Sequence, residues 1–413
     1  MQYFSLRCIS CGSIVGFDEI VYRCKRCNDL LEVQLDLERV KEGVDIEEWR
    51  SKPVSVWKYI GLIPVFDKSK IVSIGEGGTG LHRCDNLAEE LGIRNLYVKN
   101  EGENPTGSFK DRGMTTGMTK AKELNVSEVA CASTGNTAAS LAAYSAKARL
   151  RCVILIPHGA IALGKLAQAM IYGAKVIAIK GNFDDALSMV IDASKKIGLY
   201  LLNSINPFRI EGQKTAAFEI CDQLGWHGPD RLVIPIGNAG NITAYWKGFK
   251  EFYQLDLIGN LPMMTGIQAS GSSPIIQAIK EGKETIQPVK NPKTIASAIR
   301  IGSPVNWKRA MMAIKDSNGK SETVTDEEII SAQRLLARKE GIFIEPASAS
   351  SIAGLKKLIE LGAIDKNEEI VCVATGHGLK DPDSAIKYCE EPILIEPDIK
   401  ILREVIEGIA IKV

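Results

Sequence analysis

Apolar residues gather in short runs along the chain, separated by longer segments whose apolar positions recur with helical spacing. The runs are Leu96–Val98, Glu128–Ala132, Cys152–Ile156, Lys175–Ile179, Arg231–Ile236, Met263–Gln268 and Glu369–Ala374. Between them, helices are predicted over Thr137–Lys147, Ala162–Tyr172, Asp184–Lys196, Glu211–Leu224, Ala244–Phe252 and Asp326–Lys339. Strands that are nearly all apolar must be covered on both faces, so alternation with helices predicts α/β architecture with parallel sheets. Ligands of such sheets sit at the carboxyl ends of strands. Three loops directly follow a predicted strand: Ser133-Thr134-Gly135-Asn136, Gly237-Asn238-Ala239-Gly240-Asn241 and Thr375-Gly376-His377-Gly378.

Two stretches break the pattern. Residues 45–70 carry Trp49, Pro53, Trp57 and Pro64 and read as an irregular connector packed across the main body, and residues 259–307 form the longest stretch without a clear element. The chain also begins with a small cysteine module, Cys8-Ile9-Ser10-Cys11 and then Cys24-Lys25-Arg26-Cys27, with Val15–Arg23 between them reading as a hairpin. Two such knuckles about a dozen residues apart can set four thiolates around a tetrahedral zinc. Two disulfides or four free thiols fit the same spacing. A closed set of four cysteines has no open coordination position, so a zinc there would be structural. Too few residues are present to form a core without a staple.

Composition narrows the classes of partner. The 413 residues are 45% hydrophobic with a formal net charge of +1, enough for two or three domains and no electrostatic case for nucleic acid or an anionic membrane. Arg7, Arg23, Lys25 and Arg26 make the cysteine module mildly basic, but no aromatic row accompanies them, so they read as a solvated face. The first residues lack a basic region followed by an apolar core, and no run reaches the roughly 18 apolar residues of a membrane span. A cytoplasmic protein is expected. Cys131, Cys152 and Cys372 fall inside strand runs and read as core.

The candidate chemistry centres on Asn104-Pro105-Thr106-Gly107-Ser108-Phe109-Lys110-Asp111-Arg112-Gly113. Pro105 and Gly107 define a turn, Ser108 can cap a helix, and Lys110 then sits at the positive end of the helix dipole beside an apolar neighbour. That setting disfavours the ammonium and suits an amine that must be neutral to condense with an aldehyde cofactor. The glycines of Gly237–Asn241 let backbone amides approach an anion at a helix start. Ser133 and Thr134 line another helix start, fit for a carboxylate, although an ordinary capped helix reads the same way. In Asn203-Ser204-Ile205-Asn206-Pro207-Phe208-Arg209, the side chains of Asn203, Ser204 and Arg209 could converge on a phosphate; the plainer alternative is a strand end and turn with a surface arginine.

The lysine segment resembles that of the fold-type II pyridoxal phosphate enzymes, and its Ser-Phe-Lys-Asp-Arg-Gly form is most similar to the threonine synthases. The similarity runs from Gly75-Glu76-Gly77-Gly78-Thr79 to Asp381 and includes Thr294–Gly302 and Glu345-Pro346-Ala347-Ser348-Ala349. Members usually have proline where this chain has Gly80, a loosening of one turn. The resemblance implies a tryptophan synthase β-like fold of two doubly wound domains with central, mostly parallel sheets, plus a small zinc ribbon. The expected boundaries are a module over 1–35, a large cofactor-binding domain over 36–110 and 211–413, and a smaller mobile domain over 111–210.

Carried over residue by residue, the resemblance implies a pyridoxal 5'-phosphate held by Lys110. Asn136 would face its phenolic oxygen, Gly237, Asn238, Ala239, Gly240 and Asn241 its phosphate, and Thr375 its pyridine nitrogen. Ser133, Thr134, Asn203, Ser204 and Arg209 would bind substrate, and Cys8, Cys11, Cys24 and Cys27 a structural zinc. The implied reaction converts O-phospho-L-homoserine and water to L-threonine and phosphate, in a homodimer whose partner is a small phosphorylated amino acid. Rival readings are cysteate synthase, which uses O-phosphoserine and sulfite, a serine or threonine dehydratase, and a zinc-ribbon regulatory or nucleic-acid-binding protein. His377, between glycines, reads as a turn residue.

Overall fold

The computed structural model describes residues 3–43, 46–158, 163–181, 183–389 and 391–407. Its strands are β1 (Phe4–Cys8), β2 (Ile14–Val15), β3 (Leu31–Leu35), β4 (Leu81–Arg83), β5 (Asn95–Asn100), β6 (Glu128–Ala132), β7 (Arg151–Pro157), β8 (Lys175–Ile179), β9 (Tyr200–Leu201), β10 (Arg231–Pro235), β11 (Met263–Ala269), β12 (Ser321–Val324) and β13 (Glu369–Ala374). They form three sheets. A six-stranded sheet runs β12-β11-β10-β13-β5-β4 and a four-stranded one β8-β7-β6-β9, while β2-β1-β3 belong to the cysteine module. Every pairing in the two larger sheets is parallel except β4 with β5.

The apolar runs behave as their pattern dictates. All of β10 is buried, as is β13 after its first residue, and β6 likewise. The strand β8 differs: three of its five residues are exposed, because it lies at the edge of its sheet. The short β4, β9 and β12 escape the sequence reading, since two to four residues hold too little periodicity to stand out. Cys131, Cys152 and Cys372 are core residues.

The helix expected over Glu211–Leu224 starts earlier and is broken. Asn206 caps it through its side chain, Pro207 takes the first turn, and the chain kinks at Lys214 before a second helix, Thr215–Gln223. The helix expected from Ala162 is described from Leu163; Ala162 lies outside the described residues. Residues 259–307 contain β11 and a helix over Pro274–Lys280. In the cysteine module the strands flank the knuckles: β1 pairs with both β2 and β3, and Val15–Arg23 is not a hairpin of its own.

The 45–70 connector packs as expected. Trp49 and Tyr59 join Phe218, Phe252 and Trp226 in an aromatic cluster on the six-stranded sheet's helices. Beneath it lies a buried ionic network. Arg112 donates to both oxygens of Glu101 (2.5 and 2.7 Å) and of Glu219 (2.6 and 2.7 Å), and Lys99 donates to Glu219 at 2.9 Å. The two cations and two carboxylates are all fully buried and balance. Although burial alone would raise it, Arg112 and Lys99 hold Glu219 down at about 2. Because Arg112 lies two residues after Lys110, this network fixes the start of the lysine helix against β5.

Residues Met1–Asp381 form one compact unit and Pro382–Val413 another, the latter with short helices Pro382–Ile386 and Ile399–Ile406. No helix among the described residues is long and apolar enough to cross a membrane.

Candidate active site

Lys110 is the first residue of the helix Lys110–Glu123. Gly107 supplies the turn before it with φ +82°, a conformation side chains disfavour. Ser108 does not cap this helix: Phe109 holds the cap position without a side-chain bond, and Ser108 Oγ is buried without a partner. The loop is tied down by other groups. Thr106 N and Oγ1 each donate to Asp111 at 2.7 Å, Ser140 Oγ donates to it at 2.6 Å, and burial pushes this carboxyl up to about 6. Phe109 N donates to Thr375 O (3.0 Å) and His377 N to Gly107 O (2.9 Å), so the lysine loop and the loop after β13 are stitched together. His377 accepts from Leu379 N and is the turn residue its glycine neighbours suggested.

The Lys110 amine opens on a cavity lined by Asn136, Ser204, Arg209, Gly237 to Asn241, Glu345 and Thr375 among others. Lys110 keeps some accessible surface toward this cavity but protein surrounds it, and its Nζ lies 3.9 Å from the Phe109 ring centre. Burial first, and then the positive charge of Arg209, lower this amine to about 7; Glu345 pulls the other way. An amine with that basicity is substantially neutral at physiological pH.

Across the cavity, β10 ends and the helix Gly240–Gln254 begins. Ala239 enters it with φ +64°, an unusual conformation for alanine that aims the loop's amides at the helix start. A Cβ on Gly237 would stand 3.0 Å from Ala298 O. Asn241 is buried, and neither its Oδ1 nor its Nδ2 has a partner. An unpartnered amide donor, Asn241 Nδ2, at a long helix's N-terminus is what a phosphate monoester would complete.

Asn136, Glu345 and Thr375 form a bonded trio. Asn136 Nδ2 donates to both Glu345 oxygens (3.2 and 3.0 Å), and Thr375 Oγ1 donates to Glu345 Oε1 at 3.1 Å. Ser348 Oγ lies 2.9 Å from Thr375 Oγ1. Burial raises the Glu345 carboxyl above its ordinary value. Gly376 is required beside it, since a Cβ there would stand 2.9 Å from the Glu345 carboxyl carbon.

Arg209 lies in the helix Pro207–Gln213, 2% exposed, and its Nε and Nη2 have no partner. Burial lowers it to about 10. A buried guanidinium with free donors toward a cavity is an anion receptor awaiting its anion. Ser204 lines the same cavity. Asn203 does not: its Oδ1 accepts from Ala132 N and its Nδ2 donates to Ala132 O, both at 3.0 Å, which ties it to the end of β6. Ser133 and Thr134 are half-buried at that strand end and lie outside the cavity lining.

The sequence reading leaves Glu345 and Gln213 without roles. Glu345 directly precedes the proline that opens the helix Pro346–Glu360, at the edge where ligands bind. Gln213, buried with Oε1 unpartnered, sits four residues after Arg209 on the same helical face, a spacing that could have drawn it in.

These residues fit pyridoxal phosphate: a depressed amine for the aldehyde, an unsatisfied helix start for the phosphate, and a polar trio for the ring's heteroatoms. Apart from the cavity, the Sγ atoms of Cys8, Cys11, Cys24 and Cys27 all lie within 4.8 Å of one another. Their closest approaches, 3.3 to 3.5 Å, exceed the roughly 2.05 Å of a disulfide. Four such sulfurs suit a tetrahedral zinc.

The signature of the family described as pyridoxal-phosphate dependent enzyme matches residues 72–376. The chain is 62% identical to the threonine synthase of Methanocaldococcus jannaschii, over 97% of this chain and 99% of that one. It is 56% identical to that of Methanosarcina acetivorans, over 98% and 99%. Among solved structures, the processed threonine deaminase isoform 2 of Solanum lycopersicum superposes with a TM-score of 0.66, covering 81% of this chain and 94% of that one at 23% identity. Maize serine racemase gives 0.62 at 19%, covering 80% and 92%. At those identities the likeness speaks for the fold alone.

Proposed function

Since the chain belongs to the pyridoxal-phosphate dependent threonine synthases, we propose that Lys110 holds the cofactor and that Arg209 and Ser204 hold the phosphate of its substrate. The reaction read for it is conversion of O-phospho-L-homoserine and water to L-threonine and phosphate. The single observation that supports this substrate best is Arg209: a buried cation with two free nitrogens, in the same cavity as the candidate catalytic amine. A dehydratase acting on unphosphorylated serine or threonine would give that arginine nothing to bind.

Asn136 and Thr375 would hold the ring, and the loop Gly237–Asn241 its phosphate. When bound, pyridoxal phosphate withdraws electrons from the amino acid's α carbon. Lys110, lowered to about 7 and so partly neutral at physiological pH, takes the proton from Cα and moves protons at Cβ and Cγ. A hydroxyl from Thr375 rather than a carboxylate at the ring nitrogen would not force that nitrogen to stay protonated, which suits elimination and replacement at β and γ positions. Arg209 receives the departing phosphate and keeps it in the cavity, where it can assist addition of water at Cβ. The flanking apolar residues Phe109 and Ile299 limit water around the amine.

Four further readings rest on less. A structural zinc on Cys8, Cys11, Cys24 and Cys27 is supported by the clustering of their sulfurs, and elemental analysis should find about one zinc per chain. A cytoplasmic location is supported by these unbridged thiols. A homodimer is supported by resemblance to the family. Ser133 and Thr134, just before the helix Asn136–Ala148, are assigned to the substrate's carboxylate, and Asn203, bonded to Ala132, to holding the strand end beside them.

The test is incubation of the holoenzyme with O-phosphohomoserine and, separately, with O-phosphoserine plus sulfite. Phosphate release with threonine from the first alone is expected; cysteate from the second would transfer the assignment to cysteate synthase chemistry. Lys110→Ala should lose both turnover and the visible absorbance of the lysine-bound cofactor.

A further inference from the structure

The cysteine module takes no part in the site as described, yet it touches the framework on both sides of the cavity. On one side, Tyr22 Oη accepts from Leu201 N at 2.6 Å, three residues before Ser204. On the other, Asp29 pairs with Lys308, and the Glu32 carboxylate stands 3.8 Å from Arg309 Nη1. Lys308 and Arg309 lie in the first turn of the helix Trp307–Asp316.

Asn306, just before that helix and 1% exposed, joins the two walls. Its backbone N donates to Asn238 O at 3.1 Å, its Nδ2 donates to Ser204 O at 3.4 Å, and its Oδ1 accepts from Arg309 Nη2. Asn238 and Ser204 both line the cavity. The grip on Asn306 therefore depends on a guanidinium that is nearly enclosed and whose Nε has no partner. Glu32, Glu211 and Asp29 are the carboxylates that favour its charge. Glu211 is shared by Lys214 and Lys247 and Asp29 by Lys308, which leaves Glu32 as the module's acid facing Arg309 directly, with Asp29 acting on it through space.

We propose that Asn306 is a positioning residue for the substrate's phosphate, pinning Ser204 to the Asn238 loop, and that the cysteine module sets it through Arg309. The inference rests on the reading that Ser204 and Arg209 receive that phosphate. It gives the module a task in the reaction: its acids hold Arg309, Arg309 holds Asn306, and Asn306 fixes the spacing between the cofactor-phosphate loop and the substrate-phosphate segment.

The experiment uses the full-length holoenzyme and the double variant Asp29→Asn/Glu32→Gln, which leaves Tyr22 and all four thiols in place. KM for O-phosphohomoserine and Ki for inorganic phosphate should each rise about five-fold, the scale of a weak ion pair, with cofactor Kd and melting temperature unchanged. Asn306→Ala should raise both more, and combining it with the double variant should give no increase beyond that of Asn306→Ala alone, as expected of residues acting in series. Unchanged KM and Ki in the double variant, equal loss of cofactor affinity, or effects that simply add would each overturn the inference. If Asn306→Ala fails to fold, the double variant decides alone. A wild-type enzyme that releases no phosphate from O-phosphohomoserine would instead defeat the underlying reading.

Discussion

The guanidinium of Arg209 makes Lys110 less basic. The two side chains line one cavity, and the positive charge of Arg209 adds to burial in bringing the amine to about 7, with Glu345 opposing. On the function proposed above, one cation both prepares the candidate catalytic amine and receives the substrate's phosphate. A phosphate bound there would screen Arg209, so Lys110 would gain basicity as the substrate binds.

This coupling gives a pH-dependent stability with a defined sign. In the unfolded chain a lysine titrates near 10.4, and in the cofactor-free folded protein Lys110 titrates near 7. Between those values the unfolded state binds a proton that the folded state does not, so stability rises with pH across that window. Lys110→Met should therefore raise the melting temperature of the cofactor-free protein most below pH 7, and the gain should shrink toward pH 10. Melting curves at pH 6.5, 8 and 9.5 check it; a difference independent of pH would mean that Lys110 is solvated.

Arg209→Met should separate stability from function. An uncompensated buried cation opposes folding, and an apolar chain of similar length removes it, so the cofactor-free variant should melt higher by several degrees. KM for the phosphorylated substrate should rise by on the order of a hundred-fold, since a charge-assisted phosphate contact is lost. Cofactor affinity should hold within about two-fold if the Gly237–Asn241 loop carries the cofactor's phosphate alone. The acid limb of the kcat profile should move upward, because Lys110 loses a neighbouring positive charge. Parallel loss of cofactor and substrate binding would place Arg209 at the cofactor.

How far the sequence reveals such a site depends on the reach of the interaction. Parallel sheets and three loops at strand ends are readable because burial on both faces leaves uninterrupted apolar runs, as in β10 and β13. The positions of Lys110 and Gly237–Asn241 follow from turn and helix-start chemistry within ten residues. Glu345 does not, because its role is set by Asn136, 209 residues away, and by Thr375, 30 away. The same holds for Arg112, whose carboxylate partners lie 11 and 107 residues away. Ser108 shows the reverse error: a local capping rule fails because the bonds on either side of it, Phe109 N to Thr375 O and His377 N to Gly107 O, hold it in a bridge against the loop after β13.

Asn203 illustrates a polar residue whose bonds are already made. Its amide reproduces a backbone pair against Ala132, extending the ladder at the end of β6. Asn203→Ala leaves a buried N–H and C=O unmatched, which costs about 1–3 kcal/mol. Urea unfolding should show that loss as a lower midpoint, with KM for the phosphorylated substrate changing less than about three-fold, since no substrate contact is removed. A large rise in KM at unchanged midpoint would return Asn203 to the substrate.

Arg112→Met tests the network under the lysine helix. The guanidinium holds Glu101 and Glu219 with four hydrogen bonds of 2.5 to 2.7 Å, and Lys99 reaches Glu219 alone. Removing Arg112 leaves Glu101 buried with Thr79 and Asn104 as donors and without a cation. Breaking a buried ionic set by deleting one member costs about 3–5 kcal/mol, far more than deleting a surface charge. The urea midpoint should fall accordingly, and cofactor occupancy should fall with it, because the same helix starts at Lys110. Arg112→Met/Glu101→Gln should recover part of the loss by neutralising the stranded carboxylate. If the double variant is no more stable than the single one, the destabilisation comes from the lost packing of Arg112 and the charge balance of the four residues is not what holds the lysine helix in place.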